Sequence, residues 1–262
     1  MAHSEARGMG NHPVRGGATR YRVRIARGGE ARELTHLGQI EALRRAVLRS
    51  GLPGLSPDGG PGAAAPGAVP SSSRRGGGGP GGSEGGGKRT RPRLSFGPAI
   101  SMGYESEAEY FDLELESPEE PREVAQALTS ALPAGFRVMG VRRIPRFFPS
   151  LDSCINVVRY EVGGAFPADG SETLRRFLDR GEIPIEKVKK GGALVERVDA
   201  RPLIIDMSLA APDRVRMTLR FGPKRTLKPE VIIREWLGGA EGLQVIRKEL
   251  FSETASGELI AP

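Results

Sequence analysis

The segment from Gly51 to Thr90 contains almost no large apolar residues and consists mainly of glycine, proline, alanine and serine. Such a composition buries too little apolar surface to offset the entropy lost on ordering. We therefore predict that residues 51–90 form a long disordered insertion. A helix-like pattern precedes the segment and a strand-like pattern follows it, which places it within a domain rather than between two domains. The polar residues 1–20 are predicted to form a disordered basic arm.

The charge balance of the chain favours polyanionic partners such as RNA. Lys and Arg number 39 against 32 Asp and Glu, which gives a net charge of +7 and favours contact with phosphate. A solvated arginine-rich surface with no nucleic-acid role explains the same balance. The lone Cys154 excludes a disulfide within the chain, and three histidines are too few to suggest a zinc site. We expect no metal and no cofactor.

The amino-terminal residues are polar and lack the apolar core of a secretory signal. No apolar run reaches the roughly 18 residues that would cross a bilayer. We therefore expect a cytoplasmic protein with no membrane partner.

The apolar periodicity of residues 21–146 predicts one α+β unit. Tyr21, Val23 and Ile25 alternate with arginines, as in a strand. Thr35 is suited to cap a helix that ends at Ser50. After the insertion, the patterns predict strands at 93–99 and 109–115, a helix at 121–132 and a strand at 136–144. This order, βαββαβ, is that of the ferredoxin-like or split βαβ unit.

The pattern of residues 147–262 repeats this order, with an extra hairpin around residues 190–192. We predict strands at 154–162, 203–209, 214–221 and 243–250, a helix capped by Ser171 that ends at Asp179, and a helix that begins at Pro229. The predicted architecture is therefore α+β, with two tandem ferredoxin-like (βαββαβ) units and the long disordered insertion in the first.

His36 is the candidate catalytic residue, because it is the one histidine in the predicted folded part and stands in the first turn of a helix. A neutral imidazole there could act as a base. The alternative, that His36 has a local role at the start of the helix, is favoured because no second acid-base group is identifiable. Cys154 is predicted to be an inert buried thiol on a strand.

Two sets of charged residues alternate with apolar ones on the predicted strands. In the first unit, Asp112, Glu114 and Glu116 should line the open face of a strand and pair with Arg22 and Arg24 on its neighbour. In the second unit, the third strand carries arginines with few acidic neighbours on a face without aromatic residues, which suits phosphate contact without base reading. These arginines are Arg214, Arg216 and Arg220.

Two further basic patches follow from the sequence. The first lies where the insertion ends, and the second lies at the end of the first unit. Solvated charge is the alternative interpretation of both. The first contains the RNA-binding candidates Lys88, Arg89, Arg91 and Arg93, and the second contains Arg142, Arg143 and Arg146.

Four stretches of the sequence resemble the radical SAM-linked domain of unknown function, over residues 21–250. They are YRVRIARGGEARELTHLGQIEALRRAVLRSGLP, RPRLSFGPAISMGYESEAEYFDLEL, VDARPLIIDMSL and LKPEVIIREWLG. The resemblance implies a cobalamin-binding radical SAM protein as partner and a ribosome-related RNA setting. The chain departs from the family where a loop of the type YSQGFNPHP is replaced by the glycine-rich insertion. It also has Gly38 where the family often has Asp after Ser-His-Leu.

The sequence is therefore consistent with three hypotheses about function. The first is a non-catalytic accessory module that binds RNA or a ribonucleoprotein beside a radical SAM enzyme. The second is a metal-independent endoribonuclease resembling the CRISPR repeat-processing enzymes, with His36 as its base. The third is a protein-interaction scaffold in which RNA plays no part.

Overall fold

The computed structural model describes residues 18–54, 92–188, 195–222 and 226–262. In these ranges the chain forms a mixed α/β structure with one nine-stranded mixed sheet, a separate two-stranded sheet and five α-helices. Most of the predicted arm and insertion lies outside the described residues. At their edges the structure corrects the predicted boundaries, since the first strand begins at Thr19 and Leu52 packs against the core.

The first half contains four strands and two helices in the predicted order. The strands lie in the order β4-β1-β3-β2, and each pairs with its neighbours in antiparallel fashion. The second strand is shorter than expected, because it ends at Phe96. The elements are β1 (Thr19–Arg27), α1 (His36–Arg49), β2 (Arg93–Phe96), β3 (Glu105–Leu115), α2 (Pro121–Ala131) and β4 (Phe136–Ile144).

The second half repeats this strand order as β10-β5-β9-β8, again antiparallel, and the predicted extra hairpin is formed by β6 and β7. The tip of that hairpin lies outside the described residues. The elements are α3 (Leu151–Cys154), β5 (Val157–Gly163), α4 (Gly170–Leu178), β6 (Pro184–Val188), β7 (Val195–Asp199), β8 (Ile204–Ala211), β9 (Arg214–Arg220), α5 (Pro229–Leu237), β10 (Gln244–Glu253) and β11 (Leu259–Ile260).

Two predictions about element starts in the second half were wrong. Cys154 ends the short helix α3 rather than starting a strand, because the backbone oxygen of Ser150 accepts a hydrogen bond from the Cys154 amide at 3.2 Å. Ser171 does not cap α4 but lies inside it. The Gly170 amide donates to the backbone oxygen of Pro167 at 2.9 Å, so the helical turn begins before Ser171.

The helices of the first half pack on one face of the sheet. Leu43 of α1 and Leu128 of α2 bury their side chains against Tyr21, Val23 and neighbouring residues. Leu37, in the first turn of α1, does not join this packing and is 74% exposed. No described helix has the length and apolar content that a membrane span requires.

The two halves are joined within the large sheet by a short parallel pairing of β3 with β10, in which Ile246 is opposite Glu105 and Arg247 is opposite Ser106. Side chains extend this junction. Arg247 Nη1 donates to Glu109 Oε1 at 2.9 Å, and both residues are buried. Burial lowers the pKa of Arg247, but the Glu109 carboxylate and Tyr160 together outweigh this effect, and the pKa of Arg247 is raised.

Glu109 also binds the first helix. Gln39 Nε2 donates to Glu109 Oε2 at 3.0 Å, and Gln39 Oε1 accepts a hydrogen bond from Arg27 Nη1 at 2.8 Å. This buried chain of hydrogen bonds explains why Gln39 occupies the inward position of α1. A polar side chain is stable in a core when its donors and acceptors are paired.

Candidate nucleic-acid interface

Two of the three predicted phosphate-binding arginines on β9 are paired with carboxylates. Arg214 Nη1 lies 3.0 Å from Glu161 Oε1, and Arg220 donates to both carboxylate oxygens of Glu253 at 2.7 and 2.6 Å. The hydrogen bonds from Arg220 lower the pKa of the Glu253 carboxyl below its usual value. Arg216 is exposed and forms no ion pair within the described residues. This face therefore carries less free positive charge than its sequence suggests.

The candidates near the insertion are mostly outside the described residues, which applies to Lys88, Arg89 and Arg91. Arg93 begins β2, is exposed, and has Glu114 as its cross-strand partner. A carboxylate opposite an arginine on the same strand pair reduces the local positive charge.

The predicted pairing of Arg22 with Asp112 is confirmed, but its surroundings differ from the prediction. Arg22 Nε and Nη2 donate to the two oxygens of Asp112 at 2.8 and 3.0 Å, and Arg20 bonds to the same carboxylate. Arg22 is 2% exposed and Asp112 is 1% exposed, so this face of the sheet is covered rather than open. Arg24 pairs with Glu249 of β10 at 2.9 Å instead of with Glu114.

The cover is the connection between the two halves of the chain. Arg20 Nη1 donates to the backbone oxygen of Phe148 at 2.8 Å, and Arg22 Nη2 donates to that of Pro149 at 3.2 Å. The guanidinium carbon of Arg22 lies 5.6 Å from the centroid of the Phe148 ring. The connection is therefore fixed to the sheet by the same arginines that Asp112 holds.

A turn at the start of this connection projects two side chains into solvent. The Phe148 amide donates to the backbone oxygen of Pro145 at 3.0 Å, so that Arg146 and Phe147 occupy the corner. Phe147 is 88% exposed and Phe148 is 36% exposed. Arg142, at the end of β4, lies 5.9 Å from the Phe148 ring centroid. We call Arg142, Arg146, Phe147 and Phe148 the arginine–phenylalanine patch.

The charge of this patch is not balanced by nearby carboxylates in the sequence. No Asp or Glu occurs between Glu123 and Asp152, whereas four arginines do. Arg143 forms an exposed ion pair with Glu120 at 3.0 Å. Within the described residues, Arg142 and Arg146 form no ion pair.

Arg142, Arg143 and Arg146 were expected from the sequence to form a basic patch, but the two phenylalanines beside them were not expected to belong to it. The signal was present as RRIPRFF, in which aromatic residues follow basic ones within a segment that lacks acidic residues. Aromatic residues interleaved with basic ones are a common feature of protein surfaces that bind nucleic acids.

The remaining chemical candidates are isolated. His36 stands at the first position of α1 as predicted, yet its buried Nδ1 has no hydrogen-bond partner in the described part of the chain. Cys154 is a partly buried free thiol. The described residues contain no group of three or more His, Cys, Asp or Glu that could hold a metal ion.

The chain belongs to a bacterial family described as an uncharacterized conserved protein (DUF2344), whose sequence model matches residues 86–229, more than half of the chain. The match includes the whole arginine–phenylalanine patch. No curated protein matches the chain.

Proposed function

We propose that this member of an uncharacterized bacterial family is a non-catalytic accessory module that binds RNA and works beside a radical SAM enzyme of the cobalamin-binding type. The observation that carries the RNA proposal is the arginine–phenylalanine patch, where no described carboxylate pairs with Arg142 or Arg146 and aromatic rings beside them are exposed. Arginines of this kind can contact phosphate oxygens directly.

The patch differs from those surface arginines that a carboxylate already holds, such as Arg214 and Arg220. An arginine that already donates to a carboxylate, as Arg220 does to Glu253, must share or give up that partner to bind a phosphate. Arg142 has no such competitor among the described residues, and its contact with the Phe148 ring leaves its charge intact. RNA affinity should therefore depend more on this patch than on β9.

The strand order of each half supports a proposal about the architecture. The strand orders are β4-β1-β3-β2 and β10-β5-β9-β8. In each half the first strand lies between the third and the fourth, which is the arrangement of a βαββαβ unit with two crossovers. We propose that both halves are ferredoxin-like units joined through β3 and β10.

The resemblance of the chain to the radical SAM-linked domain supports the choice of partner. Affinity capture of the tagged chain from its host before and after nuclease treatment tests this part. A radical SAM protein that is captured in both cases indicates direct contact, and one that is lost with the RNA indicates that RNA bridges the two. Capture of no such protein contradicts the proposed partner.

The RNA proposal is tested by the double substitution Arg142→Gln and Arg146→Gln. Mobility shifts with total cellular RNA at graded salt should show weaker binding, and the slope of log affinity against log salt should decrease by about 1 to 2 units for two lost phosphate contacts. The matched control is the double substitution Arg45→Gln and Arg176→Gln. It removes two exposed arginines held by Glu41 and Glu172 on their own helices.

The control variant should bind RNA nearly as well as the native chain. Equal losses in both variants would mean that general charge, and not the patch, drives binding. Native protein that does not bind RNA at low salt, or binds it independently of salt, would remove RNA from the proposed function and leave the protein-interaction alternative.

A further inference from the structure

We infer that the arginine–phenylalanine patch binds single-stranded RNA by stacking an unpaired base on the ring of Phe147. This inference rests on the proposed function and specifies its ligand. It is carried by the exposure of Phe147, by the fixed backbone around it and by the free charges beside it.

The packing of the residues that the structure describes does not explain the exposure of Phe147. Phe147 is 88% exposed at the corner of a turn, where a polar residue would satisfy the same backbone geometry. Leaving a phenylalanine side chain in water forgoes the favourable free energy of its burial. A ring that is open to solvent is available to stack on a planar partner.

The backbone on both sides of Phe147 is held in place. Before it, Pro145 has a restricted φ angle and accepts the hydrogen bond that closes the turn. After it, Arg20 binds the backbone oxygen of Phe148, and Arg22 binds that of Pro149. Asp112 in turn fixes Arg22. A contact presented from a fixed backbone loses less conformational entropy on binding than one on a loose loop.

The charges beside the ring suit the sugar-phosphate backbone of the same strand. Arg146 is next to Phe147 at the corner of the turn, and Arg142 lies against the neighbouring ring of Phe148. A base on Phe147 would bring its phosphates close to guanidinium groups that no described carboxylate holds. The patch therefore combines the two elements of single-strand binding, a stacking platform and positive charge along the backbone.

A duplex is a poor ligand for this arrangement. The faces of paired bases are covered by their neighbours in the stack, and A-form RNA offers proteins mainly phosphates and 2′-hydroxyls. The Phe147 ring could stack on a duplex only at the terminal base pairs. We therefore expect a preference for single strands with little dependence on base sequence, since every base has a face that can stack.

The test compares Phe147→Leu with Phe147→Tyr. Leucine keeps an apolar side chain but removes the aromatic ring, whereas tyrosine keeps the ring. Fluorescence anisotropy with a labelled single-stranded RNA of mixed sequence, and with the blunt duplex of the same length, gives both affinities. Phe147→Leu should weaken single-strand binding by about 5- to 100-fold, the equivalent of one lost base stack. Its salt slope and duplex affinity should stay unchanged, and Phe147→Tyr should bind like the native chain.

The outcomes separate this inference from the function on which it rests. If the Arg142 and Arg146 variant loses affinity for single strands but Phe147→Leu does not, stacking is wrong and RNA binding stands. If the native chain binds neither RNA, both fail. If Phe147→Leu binds RNA normally but no longer captures the radical SAM protein, the ring is a protein contact and the inference is overturned. Melting curves check that the Phe147 variants are folded. We expect no change in melting temperature, because a side chain this exposed adds little to stability.

Discussion

Replacing Asp112 by Asn should destabilise the fold strongly, because this carboxylate neutralises two arginines in a covered position. Asp112 is 1% exposed and accepts hydrogen bonds from Arg22 and Arg20. Asparagine has nearly the same shape and keeps one oxygen acceptor, but it lacks the negative charge. Arg22, with 2% exposure and an unpartnered Nη1 among the described residues, would then carry a buried charge without a counter-ion.

Breaking a buried ion pair by removing one partner typically costs about 3–5 kcal/mol. We expect Asp112→Asn to lower the free energy of unfolding by that amount, a large part of the roughly 5–15 kcal/mol available to a natural protein. Urea unfolding measures it, and an unchanged m-value would show that the compactness of both states is preserved.

The matched control is Glu41→Gln, which removes one charge from an ion pair of similar length. Glu41 and Arg45 are 2.8 Å apart on α1, but their side chains are 65% and 68% exposed. An exposed pair of this kind contributes about 0.3–0.5 kcal/mol. A cost of Asp112→Asn no larger than that of Glu41→Gln would refute the reasoning, since it would mean that the Arg22 and Arg20 charges remain hydrated.

Two further predictions concern backbone strain and an ion pair. Gly135→Ala should cost more than about 2 kcal/mol, because Gly135 has a φ of +84° and a Cβ there would lie 2.6 Å from the backbone oxygen of Gly28. Gly103→Ala, with a φ of +81° and open space around it, should cost only about 1–2 kcal/mol, and equal losses in urea unfolding would show that the clash is relieved. Arg220→Gln should raise the pKa of Glu253, measured by NMR titration, because the hydrogen bonds from Arg220 hold that pKa down. The stability from this pair is present above the ordinary Glu pKa of about 4.3 and is lost as pH falls through the folded value, so an unchanged pKa would contradict the pairing.

Elements with strong local signals could be predicted from the sequence. The strand at Phe136–Ile144 was predicted at its observed bounds, since apolar residues recur along it and Gly135 directly precedes it. The last helix begins at Pro229, where the missing amide hydrogen is tolerated, and ends at Gly238, whose φ of 81° suits a glycine. Such signals depend only on residues close in sequence.

Long-range partners could not be predicted in the same way. The pairing of Arg22 with Asp112 followed from the strand order of one unit, and it is confirmed. The carboxylate that holds Arg24 is Glu249, which belongs to the last long strand of the other half. Periodicity indicates which face a side chain occupies, but not which distant segment covers that face. The connection over Arg22 was therefore missed, and with it the burial of this site.

The central position of β10 allows this strand to supply carboxylates to arginines of both halves. This strand pairs with β3 on one side and β5 on the other, and it supplies Glu249 to Arg24 and Glu253 to Arg220. β10 thereby neutralises Arg24 in the first half and Arg220 in the second. β4 lies at the far edge of the sheet, and neither Arg142 nor the Arg146 that follows it pairs with a described carboxylate.

Charge at this edge has two physical consequences. Charged side chains on an edge strand oppose pairing with the edge of another sheet, which favours a discrete molecule over aggregation. The same charges remain available to a polyanion, because they are not committed to stabilising the fold. Substitution of Arg142 should therefore change RNA affinity with little effect on unfolding, whereas substitution of the buried Arg22 should change unfolding first.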